Sequence, residues 1–376
     1  VATRKRVAVV GVGTMGAQAM WRLAARGAEV VGFERFAPGH DRSAAGGETR
    51  VFRSAQFEDV RYVPLIKHAD TLWRELQHET GRELRRLTGC LLMGPAEHHQ
   101  MRTALDSITE HGLDHEVLDA VELARRFPQY RIADGDVAVL DRNAGFIRPE
   151  LTVLSAANRA EQLGARIHRY TTVRKIVPVG RGVEIHTDAG TEHVDTVVVT
   201  VGPWINDLLP DLDWKVEIKR LVNAWFVCDT DGWFDAAPAF IRTGPTHCYG
   251  LPSHDRISIK LGLSQALHRP VDDPNALDRV VQPQELEIFR EQVRRYLPNL
   301  HPDPIRLSVF MEGYTASSRP LVGPLPDSDS VILLAGFSGH GFKLAPAFGD
   351  IAADLALDGG TRHPIDFLST VGRGAA

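Results

Sequence analysis

The sequence predicts an α/β fold, α+β overall, divided into two intimate domains. Three observations predict it. The first is VAVVGVGTMG over residues 7–16, where a short apolar run meets a glycine-rich turn and then a helical pattern. The second is a later run of the same kind, residues 331–336, which opens through a glycine-rich turn, 336–343, into a final helix reaching about Leu357. The third is a change of texture between residues 214 and 309, where strand-like pieces mix with one clear helix.

Each element of the N-terminal unit follows from its residues. Val7-Ala8-Val9-Val10 reads as a fully buried strand, and Met15, Ala19 and Leu23 share the face of the helix that follows. Gly27 can end that helix, and residues 29–34 read as a second strand ending in Glu34. In a strand, glycine turn, helix, strand unit, Gly11 permits the tight turn, Gly13 lets backbone approach a pyrophosphate, and Gly16 lets helix and strand pack closely. The helix N-terminus, with Thr14 and Met15, offers free N–H groups to phosphate. Glu34, 23 positions after Gly11, is placed to accept bonds from a ribose. The acid favours an unphosphorylated ribose, so NAD or the adenosine half of FAD rather than NADP, and the fingerprint does not choose between those two.

Composition excludes several classes. A chain of 376 residues is long for one core. A net charge of −5 with dispersed basic residues gives no nucleic-acid footprint. Three cysteines, Cys90, Cys228 and Cys248, form no CxxC and no zinc spacing, so no metal and no disulfide frame is expected. His98-His99 is set aside as a metal site, because adjacent helical side chains diverge. Arg4-Lys5-Arg6 before an apolar run imitates a signal peptide, but three glycines interrupt that run. No stretch approaches the roughly 20 apolar residues that span a bilayer, so a cytoplasmic protein without a membrane partner is expected.

Further along, residues 43–50 form a long polar loop carrying Arg50 and leading to Arg53, and long loops in compact domains are usually functional. Pro64 opens a helix with Leu65, Ala69, Leu72 and Leu76 inward, closed by Gly81. Residues 90–94 and 137–140 read as strands, with helices around Met101, Leu105 and Ile108 and around Val121 and Leu123, the latter capped by Asp119. Pro149 and Glu150 start a helix with Leu151, Leu154 and Ala157 inward, ending at Gly164. Residues 166–173 read as one strand, 182–187 as an alternating strand with a turn at 188–190, and 197–199 as a buried strand before Gly202-Pro203-Trp204. In the second domain, 221–227, 247–251 and 257–261 read as strands, and 283–297 as a helix with Leu286, Phe289, Val293 and Leu297 inward.

Over nearly its whole length the chain resembles the monomeric sarcosine oxidase and N-methyltryptophan oxidase family, within the glycine and D-amino-acid oxidase group of flavoproteins. The motifs carrying the resemblance are GVGTMG with Glu34, GGETRVFR, Gly202-Pro203-Trp204, Tyr249-Gly250-Leu251-Pro252, Ile259-Lys260-Leu261-Gly262, Tyr314-Thr315 and AGFSGHGFK. The resemblance implies FAD, a Rossmann-like FAD-binding domain (1–85, 144–215 and 316–376) and an antiparallel-sheet substrate domain (86–143 and 216–315). It implies an oxidase that takes a hydride equivalent from the carbon beside an amine, leaving an imine that hydrolyses, with dioxygen reduced to hydrogen peroxide.

The resemblance also assigns residues. Arg53 and Lys343 match a carboxylate-binding pair, which suits a planar guanidinium. Arg50 matches an arginine close to the flavin ring, and Lys260 a lysine over it, where a cation favours electron transfer to dioxygen. Tyr249 matches a pocket tyrosine. His340 and the glycines around it match a turn contacting flavin and substrate, followed by a helix with its positive end toward the flavin. The implied FAD contacts are Gly11, Gly13, Thr14, Met15, Gly16, Glu34, Arg35, Ser43, Thr49, Arg50, Val173, Gly202, Trp204, Gly339, His340, Gly341, Phe342 and Lys343. The family's name implies a monomer.

Two positions depart from the family. Most sarcosine oxidase relatives carry a flavin-linking cysteine two residues before the tyrosine of the Tyr-Thr pair; here that residue is Glu312, so non-covalent FAD is expected. Ser264 stands where sarcosine oxidases carry a histidine four residues after the lysine, which points to a roomier pocket and a substrate larger than sarcosine. Rival readings are an FAD-dependent amine dehydrogenase with another electron acceptor, a glycine or D-amino-acid oxidase acting on primary amines, and a nucleotide-binding protein without redox turnover. No side chain stands out as a general base.

Overall fold

The computed structural model describes residues 4–212, 214–255, 257–264 and 266–368. Two large sheets organise the chain. The first has six strands in the order Leu321–Leu325, Ser328–Ala335, Thr196–Val199, Arg6–Val10, Glu29–Phe33, Arg166–His168. Its neighbours are parallel except at the Leu321–Leu325 edge, which is antiparallel to Ser328–Ala335.

Alternation along these strands divides their side chains between two cores. Val7, Val9, Val198, Ile332 and Leu334 point into a layer of helices that includes Thr14–Ala25, Val63–Thr80, Pro149–Gln162 and Ala345–Asp358. Ala8, Val10, Val197, Val199 and Leu333 point the other way, onto Val183, Ile185 and Val194 of a three-stranded antiparallel sheet, Val173–Val179, Gly182–Thr187, Gly190–Val194. A parallel sheet covered on both faces explains why its strands read as unbroken apolar runs.

The second sheet has nine strands. Its path is Arg269–Pro270, Glu217–Val227, Ser258–Ser264, His247–Pro252, Ala239–Arg242, Cys90–Pro95, Asp136–Asp141, His115–Leu118, and Arg306–Tyr314 also pairs with Glu217–Val227. All pairs are antiparallel except Ala239–Arg242 with Cys90–Pro95, the one parallel pair within an otherwise antiparallel sheet among the described residues. Phe289 and Val293 of helix Pro283–Tyr296 pack under Phe226, Leu261 and Val309 of this sheet.

Several details differ from expectation. The single strand 166–173 is two strands, Arg166–His168 in the first sheet and Val173–Val179 in the small one, separated at Tyr170, whose φ is +55°. On Pro149–Gln162, Ala157 is buried as expected and Leu151 packs half-buried against the core, but Leu154 is exposed; Val153, Ala156 and Ala160 complete the inward face. Small residues hold that face because the helix lies close against Thr14–Ala25. Leu286 is likewise half-buried, while Glu285, paired with Arg220 at 2.7 Å, turns inward. The strands Ala239–Arg242, Arg306–Tyr314 and Leu321–Leu325 carry no alternation or turn signal strong enough to predict them.

Candidate active site

The first turn is built as its residues require. Gly11 has φ +86°, a left-handed conformation that favours glycine. A Cβ on Gly16 would lie 1.8 Å from the Gly11 carbonyl oxygen, so helix and turn can meet only at glycine. A Cβ on Gly13 would meet nothing within 4 Å, and no side chain caps the helix that Gly13 begins. Open space above uncapped N–H groups is the cradle a pyrophosphate fits. Glu34 is buried and accepts from the Val12 N–H at 2.7 Å and the Phe36 N–H at 2.8 Å, which fixes its carboxylate beside the turn.

A cavity of about 380 Å³ runs from this point to the edge of the second sheet. Of the expected cofactor contacts, Gly11, Gly13, Thr14, Met15, Glu34, Arg35, Ser43, Arg50, Val173, Gly202, Trp204, Gly339, Gly341 and Phe342 line it. Gly16, Thr49, His340 and Lys343 do not: Gly16 packs the turn, Thr49 is fully buried, and His340 and Lys343 reach Tyr62 and Glu58. Asn275 was not foreseen; its amide oxygen accepts from Arg35 at 2.8 Å and from the Trp204 indole at 2.9 Å, linking distant segments at the Glu34 end. The residues present fit an extended dinucleotide with one end at Glu34 and the other near Arg50 and Glu312.

At that far end Arg50 donates to the Ala44 carbonyl at 2.7 Å and to its neighbour Thr49 at 3.0 Å. Lys260 is fully buried in strand Ser258–Ser264, and its ammonium donates to the Gly47 carbonyl at 3.0 Å and to the Thr49 carbonyl. It therefore stands behind the 43–49 loop rather than on the cavity wall. Burial, and then the Arg50 charge, push its pKa well below the usual lysine range. Glu48 ties the same loop to the second sheet through the Trp225 indole at 3.0 Å and the His254 N–H at 3.1 Å.

Lys260, Gly262 and Ser264 share one face of their strand. Tyr249 lies over Gly262, where an added Cβ would meet its hydroxyl at 2.2 Å. The hydroxyl donates to Asn223 at 3.0 Å, and burial pushes it up to about 12, so it stays protonated at neutral pH. Glu312 lines the cavity, accepts from the Tyr314 hydroxyl at 3.3 Å, and has its carboxyl raised above the usual range by burial, with Arg50 opposing.

A second group of charges converges on a residue that sequence reasoning missed, Glu58. Arg53, 5% exposed, lies 3.7 Å over the Phe57 ring and pairs with Glu58 at 2.5 Å. Lys343 reaches the same carboxylate oxygen at 3.2 Å and donates to the His340 carbonyl at 2.9 Å. Burial alone would raise Glu58; Arg53 and then Lys343 outweigh it and hold the carboxyl far below its usual range. Burial lowers Lys343 to about 8, with Glu58 opposing and Arg53 reinforcing. His340 is pushed down to about 4 by burial, so its imidazole is neutral; its Nε2 lies 3.2 Å from the Tyr62 hydroxyl. Nothing in the sequence marks Glu58, because its partners lie 5 and 285 residues away.

The chain matches the FAD dependent oxidoreductase family model over residues 6–355. It is 36% identical to a monomeric sarcosine oxidase of Streptomyces avermitilis, over 96% of this chain and 95% of that one. It is 30% identical to the human peroxisomal sarcosine oxidase, over 93% and 91% of the two chains. The solved structure of NikD, an amino acid oxidase essential for nikkomycin biosynthesis, superposes with a TM-score of 0.84 at 26% identity, covering 96% of both chains.

Proposed function

The chain belongs to the FAD dependent oxidoreductases, and on that footing we propose that it is an oxidase of N-alkyl amino acids whose carboxylate is held by Arg53 and Lys343. One observation carries the reading: two buried cations from distant segments converge on a single carboxylate oxygen, that of Glu58. A site that already balances one carboxylate against two cations has the charge and the geometry to receive another. FAD held along the cavity between Glu34 and Arg50 would supply a two-electron acceptor for the hydride equivalent, and dioxygen would take up those two electrons with two protons as hydrogen peroxide.

The residues' own parts follow from their positions. Arg53 and Lys343 anchor the carboxylate and so orient the adjacent amine. Tyr249, kept protonated, shapes the pocket floor. Arg50 on the cavity wall supplies positive charge where electron density develops, and Lys260 adds to it from behind the loop, through the Gly47 and Thr49 carbonyls. His340, neutral, braces Lys343 through its carbonyl. A substrate bound neutral at nitrogen delivers its hydride equivalent without a side-chain base. The domains we assign are 1–85, 144–215 and 316–376 for the cofactor and 86–143 and 216–315 for the substrate; their ends at 1–3 and 369–376 lie outside the described residues. We assign the active form as a monomer in the cytoplasm; no helix of the described residues is long and apolar enough to cross a membrane.

Ser264 supports a substituent larger than methyl, because it stands on the Lys260 face of the strand, opposite His247. The test is an anaerobic absorbance titration with sarcosine, glycine, proline, pipecolate, N-methyltryptophan and longer N-carboxymethyl amines, with air admitted at the end. Bleaching by a bulky N-alkyl amino acid, reversed by air with peroxide release, is expected. Sarcosine as the best substrate would refute the enlarged pocket. Bleaching that air does not reverse would make the protein a dehydrogenase.

Glu312 carries a separate expectation. A carboxylate offers no thiolate for a flavin linkage, so acid precipitation should release intact, unmodified FAD. Yellow colour remaining in the pellet would show a covalent bond made elsewhere.

A further inference from the structure

On the far side of the helical layer, outside the cavity, three side chains from three segments meet. His68 comes from helix Val63–Thr80, Asp350 from helix Ala345–Asp358, and His363 from the segment after it. That last segment is bent back onto its own helix. Gly359 ends the helix in the left-handed region at φ +76°, and the Thr361 hydroxyl docks on Asp354 at 2.7 Å. The His363 N–H then donates to Thr361 at 3.3 Å, which returns the imidazole to Asp350.

The two Nε2 atoms face one oxygen. His68 Nε2 lies 2.9 Å and His363 Nε2 3.6 Å from Asp350 Oδ2, and the three ligand atoms are within 4.8 Å of one another. The two imidazoles lie 4.4 Å apart at 35°. The other carboxylate oxygen, Oδ1, accepts from Arg22 at 2.8 Å. Two features go beyond an ion pair. His363 Nε2 is buried and makes no hydrogen bond with any described residue, an orphan beside a carboxylate. The two nitrogen–oxygen separations also bracket the edge of about 3.3 Å expected between ligands of a tetrahedral ion with bonds of about 2.0–2.1 Å.

We propose that His68, Asp350 and His363 form a binding site for a divalent transition-metal ion of the zinc class, with water completing its coordination. Two imidazoles and a carboxylate are a zinc-type donor set. Arg22 on the free carboxylate oxygen is the outer hydrogen bond that orients a ligating carboxylate. The ion fastens the C-terminal segment to two helices of the FAD-binding unit. Phe367 of that segment stands edge-on to Tyr62 at 4.9 Å, and Tyr62 in turn meets His340. The site is therefore a staple behind the candidate active site and takes no part in the redox chemistry.

The test uses tag-free holoenzyme, stripped with EDTA, dialysed and titrated with Zn²⁺. Expected are about one zinc retained per chain after desalting and a melting temperature raised by about 3–5 °C at saturating metal. Both should vanish in His363→Gln and in His68→Gln, whose flavin spectra should match the parent. Zinc retained equally by the double variant, or no zinc retained by the parent, overturns the site. Should the variants not fold, Co²⁺ added to the parent decides: tetrahedral ligand-field bands support the site, and their absence overturns it.

Discussion

Replacing Lys260 by Met is expected to slow reoxidation by dioxygen by about 10²–10³-fold, the loss typical of removing one preorganised charge from a catalytic site. Reduction by substrate and the FAD content of the purified protein should change far less. The measurement is stopped-flow mixing of anaerobically reduced enzyme with oxygen, alongside flavin stoichiometry. The structure sharpens what failure would look like. Lys260 Nζ holds the Gly47 and Thr49 carbonyls, and so tethers the loop that presents Ser43 and Arg50 to the cavity. If this tether were its only role, FAD content and reoxidation would fall together. The arrangement also explains how an amine survives full burial: two carbonyls and the nearby carboxylates of Glu48 and Glu150 offset part of the desolvation and the Arg50 repulsion.

Replacing Arg53 by Met should raise KM for a carboxylate substrate by about 10–100-fold, the worth of a charged hydrogen bond lost from a buried site. It should also destabilise the protein by about 3–5 kcal/mol, because Glu58 would keep its burial and lose its principal partner. The second effect can be separated from the first. In Arg53→Met with Glu58→Gln, stability should return while KM stays high. If KM also recovers, the arginine serves Glu58 and not the substrate. The pH dependence gives an independent readout. Lys343 carries its charge below about 8 and loses it above, so KM of the parent should rise as pH passes through about 8. Arg53 is one cause of that lowered value, so the inflection should move to higher pH in Arg53→Met. An unmoved inflection would assign the titration to another group.

The sequence by itself determined the nucleotide-binding unit. Its strands are buried on both faces, its turn needs glycine at Gly11 and Gly16, and its acid falls at a fixed distance, so each requirement is local and leaves a trace in residue type. The same holds for helix Val63–Thr80, whose apolar face and closing Gly81 were legible in order. Tertiary structure alone decided the rest. Strand Ala239–Arg242 exists because Cys90–Pro95 and His247–Pro252 flank it, and four buried residues have no period of their own to display. On Pro149–Gln162 the apolar pattern places Leu154 inward, whereas a close-packed helix interface selects alanine and leaves Leu154 exposed. Glu58 between Arg53 and Lys343, Asn275 between Arg35 and Trp204, and His363 against Asp350 all rest on partners brought together by folding. Charge pairing has no sequence period, so a chain records the charges and only the fold records which of them meet.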